Sequence, residues 1–210
     1  GTLSLIDLCA QRNIHVTNFA TGCIYHYDDD THAEGNGVGF TEDDPPNFDG
    51  SFYSQTKAIV EKVIVATGYS NVLQLRLRMP ISDDLHHRSL VTKITKYEKV
   101  VNIPNSMTVL HDMLPVAVAL GRANMSGVYN FTNPGAISHN EILGMYRDVV
   151  NPSFTWKNFT LEEHDKVVVA KRSNNELDSS KLKSACAEVG VELVEIHDAM
   201  RGVFVRMAEA

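Results

Sequence analysis

A tyrosine and a lysine four positions apart could carry acid–base chemistry in this sequence. Tyr53 and Lys57 form a YxxxK pattern where a helix is predicted to begin, and this spacing places both side chains on one helix face. A free tyrosine titrates at about pH 10, so a neighbouring cation must stabilise its phenolate before it can exchange protons near neutrality. A surface pair without a catalytic role would show the same spacing, so the pattern needs a structural context.

A predicted strand upstream of that helix supplies the context. Residues 14–20 alternate and are rich in β-branched side chains, and Thr21, Gly22 and Cys23 follow them. Ligands bind at the carboxyl edge of the sheet in doubly wound folds. Strand alternation would aim Thr21 and Cys23 to the same side, and a thiol can act as acid or base when a neighbouring charge tunes it. The alternative for Cys23 is a small buried strand residue.

Helical and strand patterns alternate along the rest of the chain, which is typical of an α/β fold. A polar loop at 27–50 separates the first strand from the helix with Tyr53, and loops of this length are usually functional. Ser138 and Glu141 have the spacing of a capping box. The predicted helices are 2–9, 53–65, 90–97, 110–124, 139–150, 178–186 and 196–207, and the predicted strands are 14–20, 71–79, 100–103 and 127–131.

Length and composition indicate a single globular domain. The chain has 210 residues, 43% of them hydrophobic and 21% charged, with a net charge of -7, which disfavours nucleic acid and anionic membranes as partners. Cys9, Cys23 and Cys186 are far apart and form no CxxC, so a reducing cytoplasm is expected and neither disulfide nor zinc site is predicted. His86-His87 reads as a solvated loop pair, and no metal is expected.

These motifs together resemble the extended short-chain dehydrogenase/reductase family over essentially the whole chain. The resemblance implies a Rossmann-like doubly wound parallel sheet in one domain, 1–210. Residues 1–80 and 125–135 would belong to the sheet, and 81–124 and 136–210 largely to a small substrate-binding part. It also implies that Tyr53 exchanges a proton with a carbonyl oxygen, that Lys57 assists it and holds the cofactor ribose, and that Thr21 hydrogen-bonds the same oxygen.

A narrower resemblance is to the bifunctional nucleotide-rhamnose synthase/epimerase-reductases, relatives of dTDP-4-dehydrorhamnose reductase. It implies epimerisation of C3 and C5 of a UDP- or dTDP-linked 4-keto-6-deoxyglucose and reduction of C4 with NADPH, with NADH as the alternative. Cys23 and Lys93 would be the acid–base pair of the epimerisation. The strings that carry it are ATGCIY at 20–25, NFDGSFYS at 47–54, RLRMPIS at 76–82, YNFTNPG at 129–135, SHNEILGM at 138–145, SFTWKNFT at 153–160 and RSNNELD at 172–178.

The same resemblance assigns further ligand contacts. Met79, Pro80 and Ile81 would approach the nicotinamide, although a proline that ends a strand needs no cofactor to explain it. Arg172 would contact the nucleotide diphosphate, for which a guanidinium is well shaped, and Asn175 would be a further substrate-binding residue. Trp156 is a packing residue or lies near the base.

The family's glycine-rich phosphate turn is missing from its usual place. Gly35, Gly37 and Gly39 lie in a loop and not between a strand and a helix, so the chain is expected to be the C-terminal piece of a longer protein that lacks the first βαβ units. A homodimer through helix 53–65 is expected by analogy. Two alternatives stay open, a reductase without epimerase activity and a non-catalytic regulatory subunit of the same fold.

Overall fold

The computed structural model describes residues 1–84, 86–160, 163 and 172–209, and it confirms an α/β fold. The helices are α1 (Thr2–Gln11), α2 (Phe52–Thr67), α3 (Leu90–Ile94), α4 (Leu110–Arg122), α5 (His139–Val149), α6 (Ser180–Glu188) and α7 (Ile196–Glu209). The strands are β1 (Val16–Thr21), β2 (Val72–Leu77), β3 (Pro80–Ile81), β4 (Lys99–Val100), β5 (Thr108–Val109), β6 (Gly127–Asn130) and β7 (Lys157–Asn158).

The main sheet has three parallel strands in the order β1-β2-β6. Val16 pairs with Val72 and Thr21 with Leu77, while Leu73 pairs with Gly127. Because the strands are parallel, their carboxyl ends meet at one edge. Thr21 therefore lies beside the end of β2, at the edge where the sequence places the chemistry.

Helices cover both faces of this sheet, as in a doubly wound fold. On one face Val72 packs with Ile6 of α1 and Ile64 of α2. On the other face Leu73 and Leu75 pack with side chains of α4 and α6, which include Met113, Leu120 and Leu182. The alternation of buried residues along β2 thus separates the two layers.

A second core joins α3, α5 and α7 to the short pairing of β3 with β5. Ile94, Val109, Ile142 and Phe204 are among its fully buried members. α4 and α6 pack instead on the main sheet. These two helices therefore belong to the sheet layer, although the division made from sequence placed them in the substrate-binding part.

Local sequence explains several element ends. The Ser51 side chain caps α2 by accepting from the Ser54 backbone, and Gly68 ends that helix with φ 68°. Ser138 and Glu141 form the predicted capping box of α5. The predicted helix 90–97 and strand 100–103 were too long. α3 ends at Ile94, where the Thr95 hydroxyl donates to the backbone of the preceding turn, and β4 covers only Lys99–Val100.

The long loop 27–50 is packed against the 173–178 segment. The Phe40 backbone donates to the Glu176 carbonyl and the Asp178 backbone donates to the Phe40 carbonyl, both at 2.8 Å. Gly39 is required because an added Cβ would lie 2.5 Å from the Asp178 backbone nitrogen. The Phe40 ring stacks on Tyr25 with centroids 4.6 Å apart. This loop therefore fixes the segment that follows β1.

Candidate active site

Thr21 and Cys23 are neighbours at the carboxyl end of β1. Thr21 is buried, and its hydroxyl accepts from the Cys23 backbone N–H at 3.1 Å. The sequence predicts that strand alternation points both side chains to the same side of the sheet. That explanation is wrong, because β1 ends at Thr21 and residues 22–24 form a turn. The Thr21 hydroxyl and the turn bring the two residues together instead.

Gly22 allows that turn to pass close to the rest of the site. Its backbone N–H donates to the Leu77 carbonyl at 2.9 Å, which extends the register of β1 beside β2. A Cβ at this position would lie 2.6 Å from Leu177 Cδ1 and 3.0 Å from Arg78 Cδ. Only glycine therefore fits between Thr21 and Cys23 without displacing its neighbours.

Tyr53 and Lys57 lie in the first turns of α2 with the predicted spacing. Tyr53 is 53% exposed, and the Lys57 ammonium is 5.8 Å from the centroid of its ring. The ammonium therefore lies beside the aromatic ring of Tyr53. The roles predicted for this pair, to hold a cofactor ribose and to deliver a proton, stay predictions.

Arg78 is a site residue that sequence reasoning missed. It follows the last residue of β2 and is 1% exposed, which makes it the largest fully buried side chain among the described residues. Its Nη1 is 3.0 Å from Cys23 Sγ. The signal in the sequence was a second arginine two residues after Arg76, but an arginine at a strand end is usually solvated.

A buried polar network surrounds the Arg78 guanidinium. Nη1 also lies 3.2 Å from the Ser173 hydroxyl, and Nη2 donates to Asn105 Oδ1 at 2.5 Å and to the Ser173 carbonyl at 2.8 Å. The network joins the end of β2 to the 105 and 173–175 segments.

Asn175 belongs to this network and has no exposed surface. Its side-chain amide donates to the carbonyls of Gly22 at 3.1 Å and Tyr25 at 2.9 Å. In this structure it therefore fixes the turn that holds Cys23 and offers no side-chain surface to a substrate. This geometry gives the predicted substrate contact no support.

The predicted nicotinamide contacts differ in their placement. Met79 has φ 36°, a left-handed conformation that is uncommon for a residue other than glycine and that often marks functional sites. Pro80 is exposed, whereas Ile81 is fully buried in the second core. Ile81 can therefore position Met79 and Pro80, but its side chain faces the core and not an open surface.

Lys93 lies in the last turn of α3 and is exposed. Val91 and Ile94 on the same helix are fully buried in the second core and orient it. Within the part of the chain that the structure describes, Lys93 forms no ion pair. Its ammonium is thus available for a ligand.

Arg172 and Trp156 lie near the start of α5. Arg172 is exposed, and its charge acts on the half-buried His139. Burial lowers the pKa of His139 and the charge of Arg172 lowers it further, so the imidazole is neutral at pH 7. Trp156 donates through Nε1 to Asn140 Oδ1 at 2.8 Å, and the Arg147 guanidinium lies 5.8 Å from the tryptophan ring. These contacts favour the packing role of Trp156.

The described residues form neither a metal site nor a membrane-spanning helix. No group of three or more His, Cys, Asp and Glu side chains there could hold a metal ion. None of the helices in the described ranges is both long enough and apolar enough to span a membrane.

The parallel sheet with helices on both faces, and with Thr21 at its carboxyl edge, has the Rossmann-like architecture of the short-chain dehydrogenase/reductase class. No protein-family model matches the chain. A bifunctional dTDP-4-dehydrorhamnose 3,5-epimerase/dTDP-4-dehydrorhamnose reductase of Arabidopsis thaliana is 58% identical over 190 residues, which cover 90% of this chain and 62% of that protein. A trifunctional UDP-glucose 4,6-dehydratase/UDP-4-keto-6-deoxy-D-glucose 3,5-epimerase/UDP-4-keto-L-rhamnose-reductase of the same plant is 58% identical over 90% of this chain and 28% of its own length. The chain thus spans less than two thirds of each of these relatives.

Solved structures agree with these relatives. The L780 UDP-rhamnose synthase of Acanthamoeba polyphaga mimivirus superimposes with a TM-score of 0.87 at 40% identity, over 98% of this chain and 69% of that one. The chain belongs to this UDP-rhamnose synthase family of epimerase/reductases, which confirms the resemblance. A dTDP-4-dehydrorhamnose reductase from Yersinia enterocolitica shares the fold, with a TM-score of 0.74 at 15% identity over 97% of this chain and 70% of that one.

Proposed function

We propose that these residues convert UDP-4-keto-6-deoxyglucose to UDP-L-rhamnose by epimerising C3 and C5 and then reducing C4 with NADPH. The observation that carries the proposal is the meeting of Thr21 and Cys23 at the carboxyl edge of the sheet, with a buried cation on the Cys23 sulfur. A reductase without epimerase activity has no need of a thiol there. The dTDP-linked sugar is the alternative substrate, because the relatives' names include both nucleotides.

Epimerisation beside a ketone needs a base, an acid and a group that stabilises the enolate. In our proposal the Cys23 thiolate removes the proton from C3 or C5 and becomes a thiol, while the electron pair moves to the C4 oxygen. The hydroxyls of Thr21 and Tyr53 donate to that oxygen. The exposed ammonium of Lys93 then delivers a proton to the opposite face of the same carbon.

Reduction of C4 uses the same oxygen-binding groups. A bound nicotinamide would supply the hydride. In our proposal Tyr53 gives its proton to the C4 oxygen, and the Lys57 ammonium stabilises the phenolate that is left. The residues present fit such a cofactor, since Tyr53 and Pro80 are exposed and can be reached by a ligand. Met79, between the strands β2 and β3, has the left-handed backbone that is common at ligand-binding sites. NADPH is the cofactor that we propose from the resemblance, with NADH as the alternative.

The nucleotide of the substrate would lie toward α5. The exposed Arg172 would pair with the diphosphate, and Trp156 would border the base from its packed position. Asn175 would act on the substrate only through the turn at Gly22. The described residues within 81–109 and 136–178 thus supply most of the substrate side in this proposal.

A homodimer through α2 is part of the proposal. Phe52, Ile59 and Val63 fall on one face of the helix and are 83%, 62% and 41% exposed. Such a stripe favours association with a second copy. The location that we propose is the cytoplasm, a reducing compartment in which the three cysteines stay free. Sedimentation velocity of the complete protein tests the dimer, and a monomer at micromolar concentration would exclude it.

The decisive experiment uses the complete protein that carries these residues. UDP-4-keto-6-deoxyglucose is supplied in deuterated water, deuterium at C3 and C5 is followed by NMR, and NADPH is followed by absorbance. Deuterium at both carbons together with oxidation of NADPH is expected. NADPH oxidation without exchange would indicate the reductase alone, and neither signal would favour a regulatory role.

Two substitutions separate the two reactions. Cys23→Ala should abolish exchange at C3 and C5 while an already epimerised 4-keto sugar is still reduced, because the thiol serves only the first reaction. Tyr53→Phe should reduce both rates by about 10²–10⁴-fold, since it removes the proton donor of the shared oxygen. Equal loss of both reactions in Cys23→Ala would contradict the division of roles.

A further inference from the structure

Arg78 is a buried cation with an unusual set of partners. A buried guanidinium is normally paired with a carboxylate, because an uncompensated charge in the interior is costly. Arg76, two residues earlier, follows this rule, since its Nη2 lies 2.6 Å from the buried carboxylate of Glu61. Arg78 is equally buried, yet no described carboxylate lies within ion-pair distance of it.

The partners that Arg78 does have are neutral, with one exception. Asn105 Oδ1 and the hydroxyl and carbonyl of Ser173 are uncharged acceptors. Cys23 Sγ, at 3.0 Å from Nη1, is the single ionisable group among these contacts. Among these contacts, the Cys23 sulfur is thus the one group that can supply an anion to pair with this cation.

Tyr27 is a further titratable group that the charge of Arg78 reaches. Burial, followed by the charges of Glu176 and Glu34, raises the pKa of Tyr27, so the phenol is neutral at physiological pH. The Tyr27 hydroxyl donates to the Pro104 carbonyl at 3.0 Å. Burial also raises the pKa of Glu176, followed by the charge of Asp178.

We propose that Arg78 is a positioning residue that keeps Cys23 as a thiolate and aims its sulfur for proton transfer in the epimerisation. This inference rests on the proposed function in one respect, the use of the thiolate as the base. When Cys23 takes the proton from carbon it becomes a neutral thiol and Arg78 loses its counter-charge. Return of that proton to solvent or substrate restores the ion pair, so the cation drives the regeneration of the base.

The first test measures the thiolate without any substrate. The complete protein is treated with iodoacetamide between pH 6 and pH 10, and alkylation of Cys23 and of Cys9 is quantified separately by peptide mass spectrometry. Replacement of the cation by Arg78→Met should slow alkylation of Cys23 at pH 7 by about tenfold or more. At pH 10 the two rates should converge, because the thiol then ionises without help. Cys9, which is also free and half-buried, is the internal control and should not change.

Conservative variants keep the test valid if Arg78→Met fails to fold. Arg78→Lys should recover much of the alkylation rate at pH 7, since it restores the charge. Asn105→Asp keeps the size of the side chain and places a carboxylate on Nη2, so it should slow alkylation of Cys23 severalfold by competing for the cation. A rate unchanged by Asn105→Asp, or equally low rates in the Lys and Met variants, would overturn the proposal.

The catalytic readout distinguishes this inference from the proposed function. Arg78→Met should slow deuterium exchange at C3 and C5 by about the same factor as alkylation, with kcat affected more than KM. If the unsubstituted protein exchanges no deuterium, the proposed function fails. If it does exchange deuterium and Arg78→Met exchanges at the same rate, the role of Arg78 fails instead.

Discussion

Asn175 offers a sharp test of whether the 173–178 segment holds the site together or contacts the substrate. Its amide donates to the Gly22 and Tyr25 carbonyls at 3.1 and 2.9 Å and lies 3.1 Å from the Ser173 hydroxyl. At about 1 kcal/mol for each net hydrogen bond, removal of the amide in Asn175→Ala should lower the free energy of unfolding by about 2 to 3 kcal/mol. Asn175→Asp should be at least as harmful, because a carboxylate oxygen would then face two carbonyl oxygens.

Urea denaturation of the complete protein measures this change, with circular dichroism as the signal and an unchanged m value as the check on comparability. Asn174→Ala is the matched control, since its half-buried side chain accepts one bond from Asn105 at 3.1 Å and should cost about 1 kcal/mol. A loss below about 0.5 kcal/mol in Asn175→Ala, together with a raised KM for the nucleotide sugar, would refute the structural role and restore the direct contact.

Two further perturbations probe the packing and the charges of the fold. Gly22→Ala should destabilise the protein by about 1–3 kcal/mol, because the new methyl group would meet Leu177 Cδ1 at 2.6 Å, and a melting temperature equal to that of the parent would argue against this. Burial lowers the pKa of His197, but its hydrogen bonds to Glu195 and Glu141 outweigh that effect and raise the pKa overall. The stabilisation is therefore complete below the ordinary histidine pKa of about 6.5 and is lost as the pH rises through the raised value. His197→Asn should cost about 0.3–1 kcal/mol at pH 5.5 and less at pH 9, given that the side chain is 39% exposed, and equal losses at both pH values would contradict the pairing.

Elements with strong local signals were predictable from the sequence. The helix with Tyr53 begins at a serine cap and ends at Gly68, and the capping box at Ser138 starts α5 as expected. These features depend on residues within a few positions of one another, so they can be predicted from the sequence alone. Weak signals failed, as in α3, which ends at Ile94 because Lys96 and Tyr97 donate to carbonyls three residues back and so close turns instead of continuing the helix.

The features of the candidate site also fall into two groups, those that the sequence indicates and those that only the tertiary structure reveals. The sequence by itself determined the spacing of Tyr53 and Lys57, the placement of Thr21 and Cys23 after a strand, and membership of the reductase/epimerase class. Only the tertiary structure decided that Arg78 contacts the Cys23 sulfur and that Asn175 holds the turn at Gly22. The physical reason is that these contacts join residues far apart in the chain, and whether an arginine or asparagine is buried depends on what packs over it.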